Sequence, residues 1–152
     1  MTAFYDDLTD RFREVHADLA KVLDGLTTEA LDWIPGTGMN SVSVLIVHLV
    51  AAERYWIGAV ALGEPTQRVR EDEFEIKGLG RDELKRRLDE ADEFTKSALA
   101  RFSPADLEAL RKSPRNEKTF RVGWCLTHAL EHSALHLGHL QMTRQLWDER
   151  DR

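Results

Sequence analysis

His128-Ala129-Leu130-Glu131-His132-Ser133-Ala134-Leu135-His136-Leu137-Gly138-His139 carries four of the chain's six histidines at helical spacing. At about 100° per residue, His128, His132, His136 and His139 fall within a sector about 80° wide. Cys125, Trp124, Leu140, Thr143 and Leu146 lie on or beside that sector. The pattern therefore predicts that this line is the buried face of a helix, with four imidazoles set into it. The helix is expected to begin near Thr119 and to continue to Trp147 or beyond.

Moving outward, the rest of the chain repeats the same period. Phe4, Leu8, Phe12, Val15, Leu19, Val22 and Leu26 form the stripe of a first helix, with Gly25 near its end as an αL-tolerant residue. Pro35-Gly36-Thr37-Gly38 breaks the chain. A second helix starts at Asn40 or Ser41, whose side chains accept from first-turn amides, and runs to about Leu62 before Gly63-Glu64-Pro65. Residues 64–78 read as a polar connection with irregular or short strand-like pieces. Gly80 caps a third helix, with Asp82 and Glu83 at its positive end and Leu84, Leu88, Ala91, Phe94, Ala98, Leu99 and Phe102 as its stripe. Ser103-Pro104-Ala105-Asp106 reads as a capped helical turn, and residues 111–118 as a basic loop. Four amphipathic helices of similar length in one domain spanning residues 1–152 imply an all-α four-helix bundle, and the long connection between helices 2 and 3 permits a crossover.

The 152 residues hold 42% hydrophobic and 32% charged side chains, a globular balance. A net charge of −6 and the absence of a basic block argue against a nucleic-acid partner. The single cysteine, Cys125, excludes an internal disulfide and suits a reducing, cytoplasmic setting. No secretory signal opens the sequence, and the apolar run from Val44 to Ala52 is too short for a membrane span.

His132 and His136 stand four residues apart, which puts two ring nitrogens on one side of a helix within reach of one ion. His48 is the natural third ligand, since it shares a face with Val44, Leu45, Ala52, Tyr55 and Ala59. Three neutral imidazoles with one open position make a catalytic rather than a structural arrangement. Spacing alone leaves open whether His48 meets the pair. A core histidine is more often a hydrogen-bonded packing residue, and His16 is read that way. Cys125 is read as a small hydrophobe rather than a thiolate, and Glu131 and Glu53 as carboxylates behind the site or on the surface. Ser133 stands where a zincin would carry its glutamate base, so a metalloprotease is excluded. Without paired Glu-x-x-His motifs a di-iron site is disfavoured. Trp33, Trp56, Trp124 and Trp147 are assigned mainly to core packing, with some at a pocket or dimer face.

The second-helix run Ser41-Val42-Ser43-Val44-Leu45-Ile46-Val47-His48-Leu49-Val50-Ala51-Ala52-Glu53-Arg54-Tyr55-Trp56, preceded by Pro35-Gly36-Thr37-Gly38, together with His128 to His139, resembles the two signatures of the DinB/YfiT-like superfamily. The resemblance covers essentially the whole chain. It implies a four-helix bundle of up-down-down-up course, often a homodimer, and a metal held by three histidines that map onto His48, His132 and His136. Members with known activity include transferases and isomerases that use bacillithiol, mycothiol or glutathione. The resemblance thus implies a divalent ion (Zn, Ni or Fe), a low-molecular-weight thiol as cosubstrate and an electrophile as partner, with no nucleic acid or membrane. His139, His128 and Tyr55 are the candidates to orient groups or move a proton. One departure stands out: many members have Gly-Gln after the third ligand, whereas here His139 follows Gly138. Two other readings stay open, a non-catalytic metal-binding, stress-associated protein and a metal-dependent hydrolase.

Overall fold

A computed structural model describes residues 2–150. Four long helices dominate it: α1 (Ala3–Val22), α3 (Val42–Arg54, continued by a π-helical segment Tyr55–Ala61), α4 (Arg81–Leu99) and α5 (Val122–Glu149). A short α2 (Thr28–Asp32) precedes α3. The helix starts follow the expected chemistry. Ser41 Oγ accepts from the Val44 amide at 3.3 Å at the head of α3, and Gly80 opens α4 with Asp82 and Glu83 in its first turn. Past the end of α1, Gly25 turns the chain at φ 73°, a left-handed conformation that glycine adopts without steric penalty.

Two apolar clusters give the course of the helices. One joins Tyr5 and Phe12 of α1 to Ile57 at the end of α3, Leu99 at the end of α4 and Val122 and Leu126 at the start of α5. The other joins Leu19 and Val22 of α1 to Leu45 and Ile46, Leu84 and Leu88, and Leu140. Hence α1 and α5 run one way and α3 and α4 the other, an up-down-down-up four-helix bundle. The main contacts close a ring in which α1 packs on α4 and α5, and α3 packs on the same two. The segment Val42–Ala61 is long and apolar enough to cross a membrane by length and composition, but most of it is buried inside the bundle.

Because α3 and α4 point the same way, residues 62–80 must return along the length of the molecule. This strap is irregular apart from a 3₁₀ turn at Glu71–Glu75, and its ends are tied by Glu64 N–H to Gly58 C=O at 3.0 Å and Gly78 N–H to Asp32 Oδ2 at 2.7 Å. Gly58 sits in a tight place, since a Cβ there would lie 2.9 Å from Glu64 Oε2 and 3.1 Å from the Phe94 ring of α4.

Four expectations are corrected. The strand pieces lie elsewhere: β1 (Leu110–Lys112) and β2 (Thr119–Arg121) form a hairpin around what reads as a basic loop, and α5 starts at Val122. Tyr5, not Phe4, enters the core, because its hydroxyl finds the Ser103 carbonyl at 2.8 Å whereas Phe4 stays exposed. Trp124 and Leu146 lie on the surface rather than the buried face of α5. Glu53 is neither behind the site nor on the surface: it is a core residue.

Glu53 of α3 accepts from His16 Nε2 of α1 at 3.0 Å, Thr95 Oγ1 of α4 at 2.5 Å and Ser133 Oγ of α5 at 3.2 Å, so one buried carboxylate ties together all four long helices. His16 Nδ1 lies 3.3 Å from Asp92. Burial pushes the His16 pKa down, but Glu53 and Asp92 more than offset this and hold it above the ordinary value. A raised folded pKa gives stability that is fully present below the unfolded value of about 6.5 and lost as pH rises through the folded one. His16→Ala should cost about 3–5 kcal/mol below pH 6 by leaving Glu53 without its cation. The gap between the urea midpoints of wild type and variant should narrow as pH rises above the ordinary histidine range, and a gap independent of pH would contradict this.

Candidate metal centre

His48 sits mid-way along α3 and is buried, while His132 and His136 lie one turn apart on α5 and are half-buried. The packing of α3 on α5 turns all three rings toward one point. His48 Nε2 lies 3.2 Å from His132 Nε2, which lies 3.2 Å from His136 Nε2. One ligand atom from each falls within 4.8 Å of the others. Nitrogens bonded at about 2.0–2.1 Å to a tetrahedral ion stand ~3.3 Å apart, so these separations suit one cation.

Proton accounting points the same way. Glu73 Oε2 lies 2.7 Å from His48 Nδ1, which donates to it, so Nε2 of that ring presents a lone pair inward. His132 Nε2 then meets two nitrogens, and a single proton can make a straight hydrogen bond to only one of them. His132 Nδ1 is buried with no hydrogen-bond partner. A cation shared by three lone pairs removes the conflict at Nε2 and leaves the proton of the neutral His132 ring on Nδ1. Burial, then the neighbouring His136 and His48, lowers the His132 pKa to about 3. Burial, then His48 and His139, lowers that of His136 to about 4. Both rings are therefore neutral at neutral pH, the protonation state a metal ligand requires.

The His48–Glu73 contact is anchored from the strap. Arg68 donates to Glu73 through Nε at 2.6 Å and Nη2 at 3.0 Å, a two-pronged grip. Burial raises the Glu73 pKa, but the bonds from His48 and Arg68 outweigh it and keep the carboxyl below its ordinary value. Glu73 is thus an ionised acceptor that fixes the tautomer and plane of the His48 ring. Neither Glu73 nor Arg68 is evident from the sequence, because both sit in a segment without periodicity. The only local sign is a strap dense in charge.

A cavity of about 210 Å³ opens beside the three rings, lined by His48, His132, Tyr55, Trp56, His128 and Ser113 among others. Tyr55 is held there by a 2.7 Å hydrogen bond between its hydroxyl and Ser113 Oγ. His128 stacks on Trp124 at 4.6 Å and meets Trp56 edge-on. His139 lies apart: it is exposed, on the outer side of His136, with Nδ1 atoms 3.3 Å apart, and does not line the cavity. Cys125 is buried and its thiol is pushed up to about 11, so it stays protonated. Glu131 is on the surface. The histidine line is thus not the centre of the buried face. It is displaced by roughly 75° from the core line of Val122, Cys125, Leu126, Ala129, Ser133, Leu140 and Thr143, counting about 100° per residue, which leaves the rings at the margin where a small molecule can reach them.

An up-down-down-up helical bundle with three imidazoles converging at the margin of its core defines the class. The family model of the DinB superfamily matches residues 11–140, and the chain belongs to that superfamily. Among solved structures, a conserved protein from Enterococcus faecalis aligns with a TM-score of 0.79 at 16% identity, over 96% of this chain and 98% of that one. YfiT from Bacillus subtilis, described as a probable metal-dependent hydrolase with an unusual four-helix bundle topology, aligns with a TM-score of 0.77 at 16% identity over 95% and 89%. A mycothiol-dependent maleylpyruvate isomerase aligns with a TM-score of 0.66 at 16% identity, over 92% of this chain but 63% of its own. No curated protein matches the sequence significantly.

The geometry predicts that the purified chain, dialysed against zinc, retains a single ion by elemental analysis, and that His48→Ala or His136→Ala each removes it. Glu73→Gln, which keeps the shape but weakens the hold on His48, should reduce affinity about 10–100-fold. Retention of zinc by either alanine variant would show that the histidines do not act together.

Proposed function

We propose that this protein is a divalent-metal-dependent transferase that joins a low-molecular-weight thiol to an electrophile. One observation carries the reading: three Nε2 atoms converge on a point that opens onto a cavity rather than being closed by a fourth side chain. His48, His132 and His136 are the ligands, and zinc, nickel and iron all suit an imidazole set. When bound, such an ion supplies positive charge that favours thiolate over thiol near neutral pH.

The chain's own groups do the rest. Glu73 and Arg68 hold His48 rigid, so the ligand set is formed before substrate arrives. Trp56 and Tyr55 wall the cavity and limit the water in it. His128, on the cavity wall, takes the proton that the thiol gives up. The sulfur forms a bond to the electrophilic carbon, and the electron pair of the broken carbon bond departs with the leaving group or, for an epoxide, stays on the ring oxygen and collects the proton from His128. His139 supports the His136 ring from outside and touches no reacting atom. The mycothiol dependence of one structural neighbour supports a thiol as cosubstrate.

The description of YfiT favours a second reading, hydrolysis by an activated water. Among the described residues no carboxylate lines the cavity to take the water's proton, and Glu73 is engaged on both oxygens, which favours thiol transfer over hydrolysis. A metal-binding protein without chemistry would have no use for a cavity at the ion. The reading extends to a homodimer in a reducing cytoplasm. Leu135 and Met142 of α5 are 58% and 57% exposed, and Cys125 remains a thiol.

A panel of cellular thiols against chlorinated and epoxide electrophiles should give metal-dependent conjugation with at least one pair, reduced by His128→Gln about 10²-fold in kcat with metal content unchanged. Ester or amide cleavage without any thiol would instead favour hydrolysis. Sedimentation at micromolar concentration should give a dimer that Leu135→Glu dissociates, and a wild-type monomer would remove that part of the reading.

A further inference from the structure

The cavity beside the histidines has a charge opposite to that of the chain. The protein carries a net −6, yet this wall holds Arg68, Arg70 and Arg115 and, among the described residues, no Asp or Glu. They come from two separate segments, Arg68 and Arg70 from the strap and Arg115 from the turn between β1 and β2. Arg68 is committed to Glu73. The other two have no comparable partner. Arg70 lies 4.8 Å over the Phe74 ring, which in turn packs 5.1 Å from the His48 ring, so this guanidinium is seated on an aromatic platform beside the site. Arg115 comes no nearer than 4.0 Å to Glu71, with both side chains mostly exposed, a contact of little strength. Asn116 adds a polar side chain to the same wall.

Two guanidinium forks on a concave wall of one sign concentrate a positive field and match the planar oxygens of an acid. We propose that this cavity is a subsite for an acidic oxyanion group, a carboxylate or a phosphate, on the molecule that reacts at the three imidazoles, and that Arg70 and Arg115 select it. The cavity measures only about 210 Å³, so the acid and the reacting atom belong to one small molecule. The assignment rests on the proposed thiol chemistry for what reacts, but the arginines themselves require no ion.

Cobalt-loaded protein titrated with 3-mercaptopropionate, with its neutral amide and with 2-mercaptoethyl phosphate, followed by the visible absorption of the ion, tests it. At least one acid should bind about tenfold or more tighter than the amide. The tighter of the two acids identifies the oxyanion. The double substitution Arg70→Gln, Arg115→Gln, at exposed positions outside the Glu73 grip, should bring acids and amide to one affinity with cobalt content unchanged. Equal affinity of all three in the wild type overturns the subsite and leaves thiol binding standing. If no thiol perturbs the ion, the transferase reading fails. Calorimetry with propionate and inorganic phosphate then decides the subsite: binding that the double substitution abolishes supports it, and no binding overturns it.

Discussion

The parallel course of α3 and α4 is the constraint from which the site follows. Two consecutive helices that point the same way cannot be joined by a tight turn, so residues 62–80 travel back along the bundle. That return brings Arg68 and Glu73 over the middle of α3, where Glu73 fixes the His48 ring. In a bundle of simple alternating helices the same segment would be a short loop at one end. The imidazole contributed by α3 would then have no carboxylate behind it, and the cavity would lack Arg68 and Arg70.

A second constraint sets the register of α5 against α3. Ser133, next to His132, bonds to Glu53, which also holds His16 and Thr95. A slip of one residue would turn α5 by about 100° and carry His132 and His136 away from His48. The polar hub lies in the apolar core and the imidazole cluster at its margin, on adjoining faces of α5. Burial does different work at the two places. At Glu53 it is answered by hydrogen bonds from three helices, one of them from a histidine whose pKa is raised. At His132 and His136 it is left unanswered, so those rings stay neutral with lone pairs directed inward. The first arrangement holds helices together, and the second could hold a cation.

Much of this was legible in the sequence, because helical period and terminal chemistry are local. The stripe of α4, the Ser41 cap, the glycine after α1 and the break at Pro35 to Gly38 needed only neighbouring residues. His48, His132 and His136 could be named, since i,i+4 spacing and the resemblance to a family both bear on them. What was not legible depends on distant partners. Glu73 and Arg68 lie in a stretch without period, and nothing nearby marks one glutamate among several as the acceptor for His48. Periodicity also cannot separate the centre of a buried face from its edge, which is why Trp124 and Leu146 were expected inside and the histidine line appeared more enclosed than it is. The β1–β2 hairpin escaped because three-residue strands are too short to show alternation.

The central claim is that three imidazoles from two helices share one cation and leave it a free position. X-ray absorption at the zinc edge of the reconstituted protein tests it most directly. The account predicts scattering from three imidazoles plus one light atom at bonding distance, with a sulfur replacing that light atom when a small thiol is added. A shell of four protein ligands that no thiol alters, or fewer than three imidazoles, would contradict it.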